Sequence, residues 1–383
     1  MRKAIAGLPA SRIREVANAG LGRSDVLAFW FGESDEVTPS LARDAAIASL
    51  QAGETFYSHN LGLPALREAL SAYTSELHRP VEVERIAVTS SGVSALMIAG
   101  QLILEPGDDV VAVVPVWPNV TAQPVILGAR VTRMSLAPRD GAWVLDLQAL
   151  LDAITPHTRA VILNAPNNPT GWTLTHDEQR AILDRCRQTG TWILADEVYE
   201  RLYFEPGSRT APSFLDIADP TDRLIVAHSF SKSFLMTGWR LGWLVLPEGL
   251  SGEVAKLIEF NTSCAPVFVQ KGGLAALSEA GESVPGLVAR LQACRDTLVP
   301  RLAALPGVTV ALPRGGMYAF FRVDGEDDSL AFAKRLVERH GLGLAPGSAF
   351  GDEAEGWLRW CFAARDPTRL VQGVGRLADA LRL

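Results

Sequence analysis

The sequence is poor in lysine and cysteine and has no long apolar run. Only five of its 36 basic residues are lysine: Lys3, Lys232, Lys256, Lys271 and Lys334. A chemistry that needs an amine nucleophile therefore has few candidates. The four cysteines, Cys186, Cys264, Cys294 and Cys361, stand far apart, without the paired spacing of a zinc site or redox motif. They read as small buried hydrophobes in a reducing compartment. The six histidines are as dispersed, none at the i, i+4 spacing of a helical metal site, so no metal is expected. No run of 18 apolar residues occurs, which excludes a membrane-spanning helix. Arg12, Arg14 and Glu15 fall where a signal peptide needs an apolar stretch, which points to a cytoplasmic protein. A basic surplus is missing too. The net charge of -7 argues against a nucleic-acid partner.

What is present is ordinary globular composition, 48% hydrophobic and 21% charged, enough to bury a site away from water. A chain of 383 residues exceeds one ordinary domain. Between about residues 85 and 245, short Val- and Ile-rich runs alternate with helical stretches. The runs are Arg85–Thr89, Asp109–Val114, Ala160–Leu163, Trp192–Ala195, Leu224–His228 and Leu241–Leu246. Unbroken apolar strands alternating with helices predict an α/β fold with a mostly parallel sheet sandwiched by helices. After residue 284 the pattern becomes α+β, predicting a smaller C-terminal domain. The expected division is an arm and connector (1–40), a large domain (41–283) and a small domain (284–383).

Four segments carry chemistry, each at the end of a predicted strand, where ligands of such sheets bind. Asn164-Ala-Pro-Asn-Asn-Pro-Thr-Gly171 is a stiff turn that holds the Asn168 amide on rigid backbone. Asp196, closing an apolar strand, sits where burial penalises its charge unless a cation is near. A cofactor's protonated ring nitrogen would be such a cation. Lys232 lies in Ser229-Phe-Ser-Lys-Ser-Phe-Leu-Met, with Arg240 eight residues on. Apolar neighbours (Phe230, Phe234, Leu235, Met236) and a second cation would depress its pKa and make it a nucleophile. Lys256 and Lys334 fall on polar helix faces, Lys271 precedes a Gly-Gly pair and Lys3 is terminal. Thr89-Ser-Ser-Gly-Val-Ser94 is a strand-to-helix junction whose free N–H groups suit a phosphate. Together these supply an amine, a phosphate cradle, a carboxylate and an amide at one rim. That set describes pyridoxal 5′-phosphate chemistry.

The order and spacing of these segments resemble the class I/II aminotransferases of pyridoxal-phosphate fold type I. Asp196 and Lys232 are 36 residues apart, as is usual in that family. The resemblance extends through Phe31-Gly32-Glu33-Ser-Asp35, Tyr57 with Gly62-Leu-Pro-Ala-Leu-Arg67, Pro313-Arg-Gly-Gly-Met-Tyr318 and Leu358-Arg359-Trp-Cys-Phe-Ala363. It implies that Lys232 forms the internal aldimine and shuttles protons. Asp196 would pair with the pyridinium, while Tyr199 and Asn168 bond the phenolic oxygen and Trp117 stacks on the ring. Ser91, Gly92, Val93, Ser229 and Arg240 would hold the phosphate. Tyr57 would reach the phosphate of the neighbouring subunit, implying a homodimer. Arg359, helped by Asn168 and the Gly32 backbone, would clamp the substrate carboxylate. The implied activity moves an amino group from an α-amino acid to a 2-oxo acid by a ping-pong mechanism.

The sequence departs from the family where Gly32-Glu-Ser34-Asp-Glu36 lacks the usual proline and aromatic, near the expected substrate side chain. Trp117 stands where tyrosine is common in this subgroup, and Val93 offers only backbone to the phosphate. A β-eliminating lyase on the same fold is the alternative reading. A regulator built on this fold would need an added DNA-binding segment, and only about 30 residues precede the first motif. Trp30, Phe31, Phe56, His59 and Trp117 suggest an apolar or aromatic pocket for the substrate side chain.

Overall fold

The apolar runs form the strands of one seven-stranded sheet in the computed structural model, which describes residues 1–382. They are β1 (Ile86–Thr89), β2 (Asp109–Val114), β3 (Arg130–Ser135), β4 (Thr158–Asn164), β5 (Trp192–Asp196), β6 (Leu224–Ser229) and β7 (Gly242–Val245). Across the sheet the order is β1-β7-β6-β5-β4-β2-β3. Only β7 runs antiparallel to its neighbours. Successive side chains of one strand enter different cores: Ile193 and Ala195 of β5 join one apolar cluster, Leu194 the other. Burial on both faces is why these strands read as continuous apolar runs. Each fully buried Leu or Ile contributes about 1.5–3 kcal/mol. The edge strand β3 was not expected from the sequence. It pairs on one side only, and its Arg130-Val-Thr-Arg-Met-Ser135 is mostly exposed, without an apolar run.

Two of the helices that connect these strands have well-defined caps. Helix α1 (Gly92–Ile103) starts directly beyond β1, its N-cap Ser91 accepting a hydrogen bond from the Ser94 N–H at 3.0 Å. Helix α2 (His176–Thr189) begins with a reciprocal capping box between Thr175 and Glu178 and stops at Gly190, whose φ is 72°.

The C-terminal part forms a four-stranded antiparallel sheet of β8 (Val308–Val310), β9 (Tyr318–Val323), β10 (Ala345–Pro346) and β11 (Trp357–Cys361), ordered β8-β9-β11-β10. Helices α3 (Ala280–Ala303), α4 (Ser329–His340) and α5 (Thr368–Ala380) accompany it. The first residues are more ordered than a plain connector. A helix over Arg12–Ala19 buries Ile13, Val16 and Ala17 and contacts α4. Leu27–Ala28 then pairs in parallel with Leu342–Gly343. The Phe29 N–H donates to Gly343 O at 2.7 Å, and the Cys361 N–H donates to Phe29 O at 3.1 Å. Residues 27–29 are thus stitched into the C-terminal sheet region. This carries Gly32 over the end of the large sheet.

Candidate active site

Strand register lines up the chemistry. Asn164 lies opposite Asp196, Ser229 opposite Gly242, and Gly242 opposite Thr89. One row of strand ends therefore carries the amide turn, the carboxylate, the serine–lysine loop and the start of α1. A cavity of about 710 Å³ opens on this row. Its wall includes Gly32, Gly92, Val93, Trp117, Asn168, Asp196, Tyr199, Ser229, Lys232, Arg240 and Arg359. Two expected residues are not in the wall. Ser91 lies one residue before Gly92 as the cap of α1, and Tyr57 is 87% exposed on the surface.

At one end the wall is built for an anion. The Ser231 N–H donates to Ser229 Oγ at 3.1 Å, and the Arg240 guanidinium lies 3.4 Å from Ser231 Oγ. Both glycines are required by close approach. A Cβ on Gly92 would sit 3.0 Å from Ser229 Cβ, and one on Gly242 would sit 2.6 Å from the Gly92 nitrogen. Arg240 (φ 54°) and Ser91 (φ 132°) hold backbone angles that side-chain-bearing residues rarely adopt. The free N–H groups of α1, two hydroxyls and a guanidinium converge there, as a phosphate needs.

The middle of the wall holds charges that form no close ion pair among the described residues. Asp196 is buried, and among the described residues the only hydrogen bond to its carboxylate comes from the Val198 N–H at 3.4 Å. Burial pushes its pKa up to about 7, against that bond and the Lys232 charge. Lys232 donates to Gly32 O at 2.6 Å and lies 5.4 Å above the Tyr199 ring. Burial is the main reason its pKa falls to about 8. The apolar neighbours expected to desolvate it do not. Phe230, Phe234 and Met236 point into the core, with Phe230 and Phe234 against Trp243 and Tyr73, and none lines the cavity. The lysine is enclosed instead by the cavity wall and the Gly32 segment. Burial also raises Tyr199 well above its usual range, and its hydroxyl is 2.7 Å from that of Tyr318.

Arg359 closes the far end. It lies on β11 with 2% of its surface exposed, donating to Asn168 Oδ1 at 2.9 Å and to Trp30 O. The rings of Tyr318 and Phe350 flank the guanidinium at 4.4 and 4.9 Å. Among the described residues its Nε has no hydrogen-bond partner, and the two acceptors of its terminal nitrogens are neutral. A buried cation so placed calls for a bidentate anion.

A family profile for class I and II aminotransferases matches residues 26–377. The chain belongs to that family. It is 32% identical to an aspartate aminotransferase of Pyrococcus horikoshii over 97% of this chain and 94% of the relative. It is 34% identical to an arginine–pyruvate transaminase of Pseudomonas aeruginosa over 94% and 88%. The crystal structure of a Thermotoga maritima aspartate aminotransferase superposes with a TM-score of 0.92 at 30% identity, covering all of both chains. The chain is thus a pyridoxal-phosphate-dependent aminotransferase of fold type I, as the motifs led one to expect. No helix among the described residues is long and apolar enough to cross a membrane.

The residues present fit this cofactor. A buried carboxylate without an ion-pair partner suits a ring-nitrogen cation, and an anion cradle begins at the neighbouring strand end of the same row. Sequence reasoning missed several cavity residues, among them Arg14, Glu33, Asn164 and Tyr318. For Tyr318 the signal existed in the Gly-Gly-Met-Tyr run, but its contacts did not. Of the apolar or aromatic pocket expected for the substrate side chain, only Phe31 and Trp117 reach the cavity. Trp30 packs on Gly343 and Gly20, Phe56 is exposed, and His59 Nδ1 accepts from the Leu61 N–H.

Proposed function

We propose that this aminotransferase works through Lys232, Asp196 and Tyr199, with Asn168 and Trp117 placing the cofactor ring. Ser91, Gly92, Val93, Ser229 and Arg240 take its phosphate, and Arg359, Asn168 and the Gly32 backbone take the carboxylate of an α-amino acid or 2-oxo acid. The observation that carries this reading is the pair of buried charges without ion-pair partners, Asp196 and Arg359, in the wall of the cavity that also holds Lys232. Pyridoxal phosphate, when bound, supplies an electron sink and a carbon that carries the amino group between the two half-reactions. The protein does the rest. With a pKa near 8, a useful fraction of Lys232 is neutral at physiological pH and can attack a carbonyl or move a proton. Asp196 holds a proton at the ring nitrogen by charge. Tyr199 donates to the phenolic oxygen. Arg359 fixes the substrate carboxylate in a planar fork, which orients the α-C–H toward Lys232.

Three further assignments rest on the same reading. The chain divides into an arm (1–40), a cofactor-binding body (41–283) and a C-terminal domain (284–383). It works as a homodimer, because exposed Phe56, Tyr57 and Phe260 present an aromatic face suited to burial by a second copy. From there Tyr57 reaches the neighbouring subunit's phosphate. Four unpaired cysteines suit a cytoplasmic setting. The test is a panel of amino acids offered with 2-oxoglutarate or pyruvate, following the visible absorbance of the loaded enzyme. Amino acid formed in proportion to acceptor consumed supports the reading. Release of ammonia and a 2-oxo acid without an acceptor would instead make it a lyase.

A further inference from the structure

Tyr318 sits where three segments of the site meet. Its hydroxyl is 2.7 Å from the Tyr199 hydroxyl, its ring face lies 4.4 Å from the Arg359 guanidinium carbon, and it lines the cavity itself. It is fully buried at the start of β9, two residues before Phe320, which pairs with Arg359 in the sheet. The hydroxyl also packs on Gly32 so closely that any Cβ there would collide with it. Gly32 in turn accepts the Lys232 hydrogen bond.

We infer that Tyr318 is a positioning residue whose hydroxyl serves the cofactor half of the site and whose ring serves the substrate half. The inference rests on the roles assigned above to Tyr199 and Arg359. A phenol has one hydrogen to give. If Tyr199 spends it on the cofactor's phenolic oxygen, the Tyr199–Tyr318 bond has only one possible direction: Tyr318 donates and Tyr199 accepts. Hydrogen bonds in such a chain polarise one another, so the outer donor strengthens the inner one. Tyr199 then stabilises negative charge on the phenolic oxygen better than it could alone. A better-stabilised oxygen anion holds the neighbouring nitrogen proton of the lysine–cofactor link less tightly, which lowers the pH at which the visible band of the loaded enzyme titrates. The ring acts separately. A cation over an aromatic face is attracted to it, and stacking on Tyr318 fixes the height and tilt of a buried guanidinium that lacks a carboxylate partner.

Substituting Tyr318 separates the two halves. Tyr318→Phe keeps the ring and removes the hydroxyl. It should raise the titration midpoint of the visible band by about 0.4 to 1 pH unit, the equivalent of one neutral hydrogen bond, and leave KM for amino acids within about twofold. Tyr318→Leu should give the same spectral shift and also raise KM by about 3- to 30-fold, through loss of the cation–ring attraction. Far-UV circular dichroism and cofactor stoichiometry establish that each variant is folded and loaded. Tyr199→Phe should raise the midpoint further, and adding Tyr318→Phe to it should change nothing more. An unshifted midpoint in Tyr318→Phe, with Tyr199→Phe shifted, overturns the relay and leaves the Tyr199 assignment standing. An unshifted midpoint in Tyr199→Phe removes that assignment and the relay with it. A Tyr318→Leu enzyme with unchanged KM overturns the role of the ring.

Discussion

Two neighbouring residues, Asp196 and Glu197, are equally buried, at 2% and 3% exposure, yet serve opposite surroundings. Asp196 faces the cavity, and a single long hydrogen bond from a backbone amide reaches it. Glu197 faces away and is satisfied by Ser213 Oγ and by the Phe214 N–H at 3.2 Å. Around Glu197 the charges settle among themselves. His78 lies 2.8 Å from Asp216 and 3.0 Å from Glu200, and Glu200 also faces His228 Nδ1 at 3.6 Å. Burial alone would keep His78 neutral, but hydrogen bonds to Asp216 and Glu200 prevail and hold its pKa up at about 10. Burial and the nearby Glu200 charge push Glu197 up to about 8. The contrast separates structure from function. Buried charges that answer one another offset much of each other's desolvation, whereas those without a partner in a cavity mark a place for a ligand.

The largest effect should come from the cavity side. Lys232→Ala should lower amino transfer by about 10⁴-fold or more if, as proposed, this one residue supplies both nucleophile and proton carrier. Loss of the visible lysine-bound absorbance in a folded variant is the accompanying sign, and turnover near wild type would mean another amine does the work. Asp196→Asn should come next, at about a thousand-fold in kcat with the cofactor still bound, because an amide cannot hold a ring proton by charge. Its neighbour sharpens the point. Glu197→Gln should leave kcat within about threefold, because a carboxyl with a pKa near 8 is already mostly neutral at pH 7. Equal losses in the two variants would erase the distinction.

Arg359→Ala should cut kcat/KM for amino acids by about 30-fold to a few thousand-fold, for a desolvated charge pair worth about 2–5 kcal/mol. Arg359→Lys should restore only part, since a point charge lacks the planar fork. Amines without a carboxylate should lose far less, and the visible spectrum should hardly change. Comparing steady-state kinetics on the two substrate classes checks this.

The smallest effect belongs to the self-satisfied cluster and appears in stability, not turnover. His78 has its folded pKa raised from 6.5 to about 10, so its contribution is full below about pH 6.5 and disappears as pH rises through 10. Glu197, raised from 4.5 to about 8, makes the folded state hold extra protons between those values, so stability falls with rising pH there too. Urea unfolding of the cofactor-free protein should therefore show stability falling from about pH 5 to pH 8, above which Lys232, lowered from 10.5 to about 8, acts with the opposite sign and offsets His78. In His78→Gln that offset is gone and stability should rise between pH 8 and 10. A variant that keeps the wild-type slope there would show that His78 is not held charged.

Much of the fold was legible because burial on both strand faces writes itself as apolar runs. The strand Asp109–Val114 has the bounds its sequence pattern suggests. The edge strand Arg130–Ser135 was not legible, because a strand with one neighbour and four of its six residues exposed carries no such run. The site was legible where a motif sits at a strand end, since register then brings Asn164, Asp196, Ser229 and Gly242 into one row. It was illegible where function depends on contacts between distant segments. Nothing near Tyr318 announces a partner 119 residues away. Lys232 stood out in the sequence for neighbours that point elsewhere in the fold, because the polypeptide that shelters it comes from Gly32.

The stitching of residues 27–29 into the C-terminal sheet has a consequence for anyone trimming or tagging this enzyme. Trp30 O and Gly32 O, which receive Arg359 and Lys232, belong to that same stretch of backbone. A truncated chain starting beyond residue 32 would keep every catalytic side chain and every strand of the large sheet. It would still lose the acceptors that position the site's two working cations. The amino-terminal segment is a wall of the active site, and fusions are better placed ahead of the Arg12–Ala19 helix than in exchange for it.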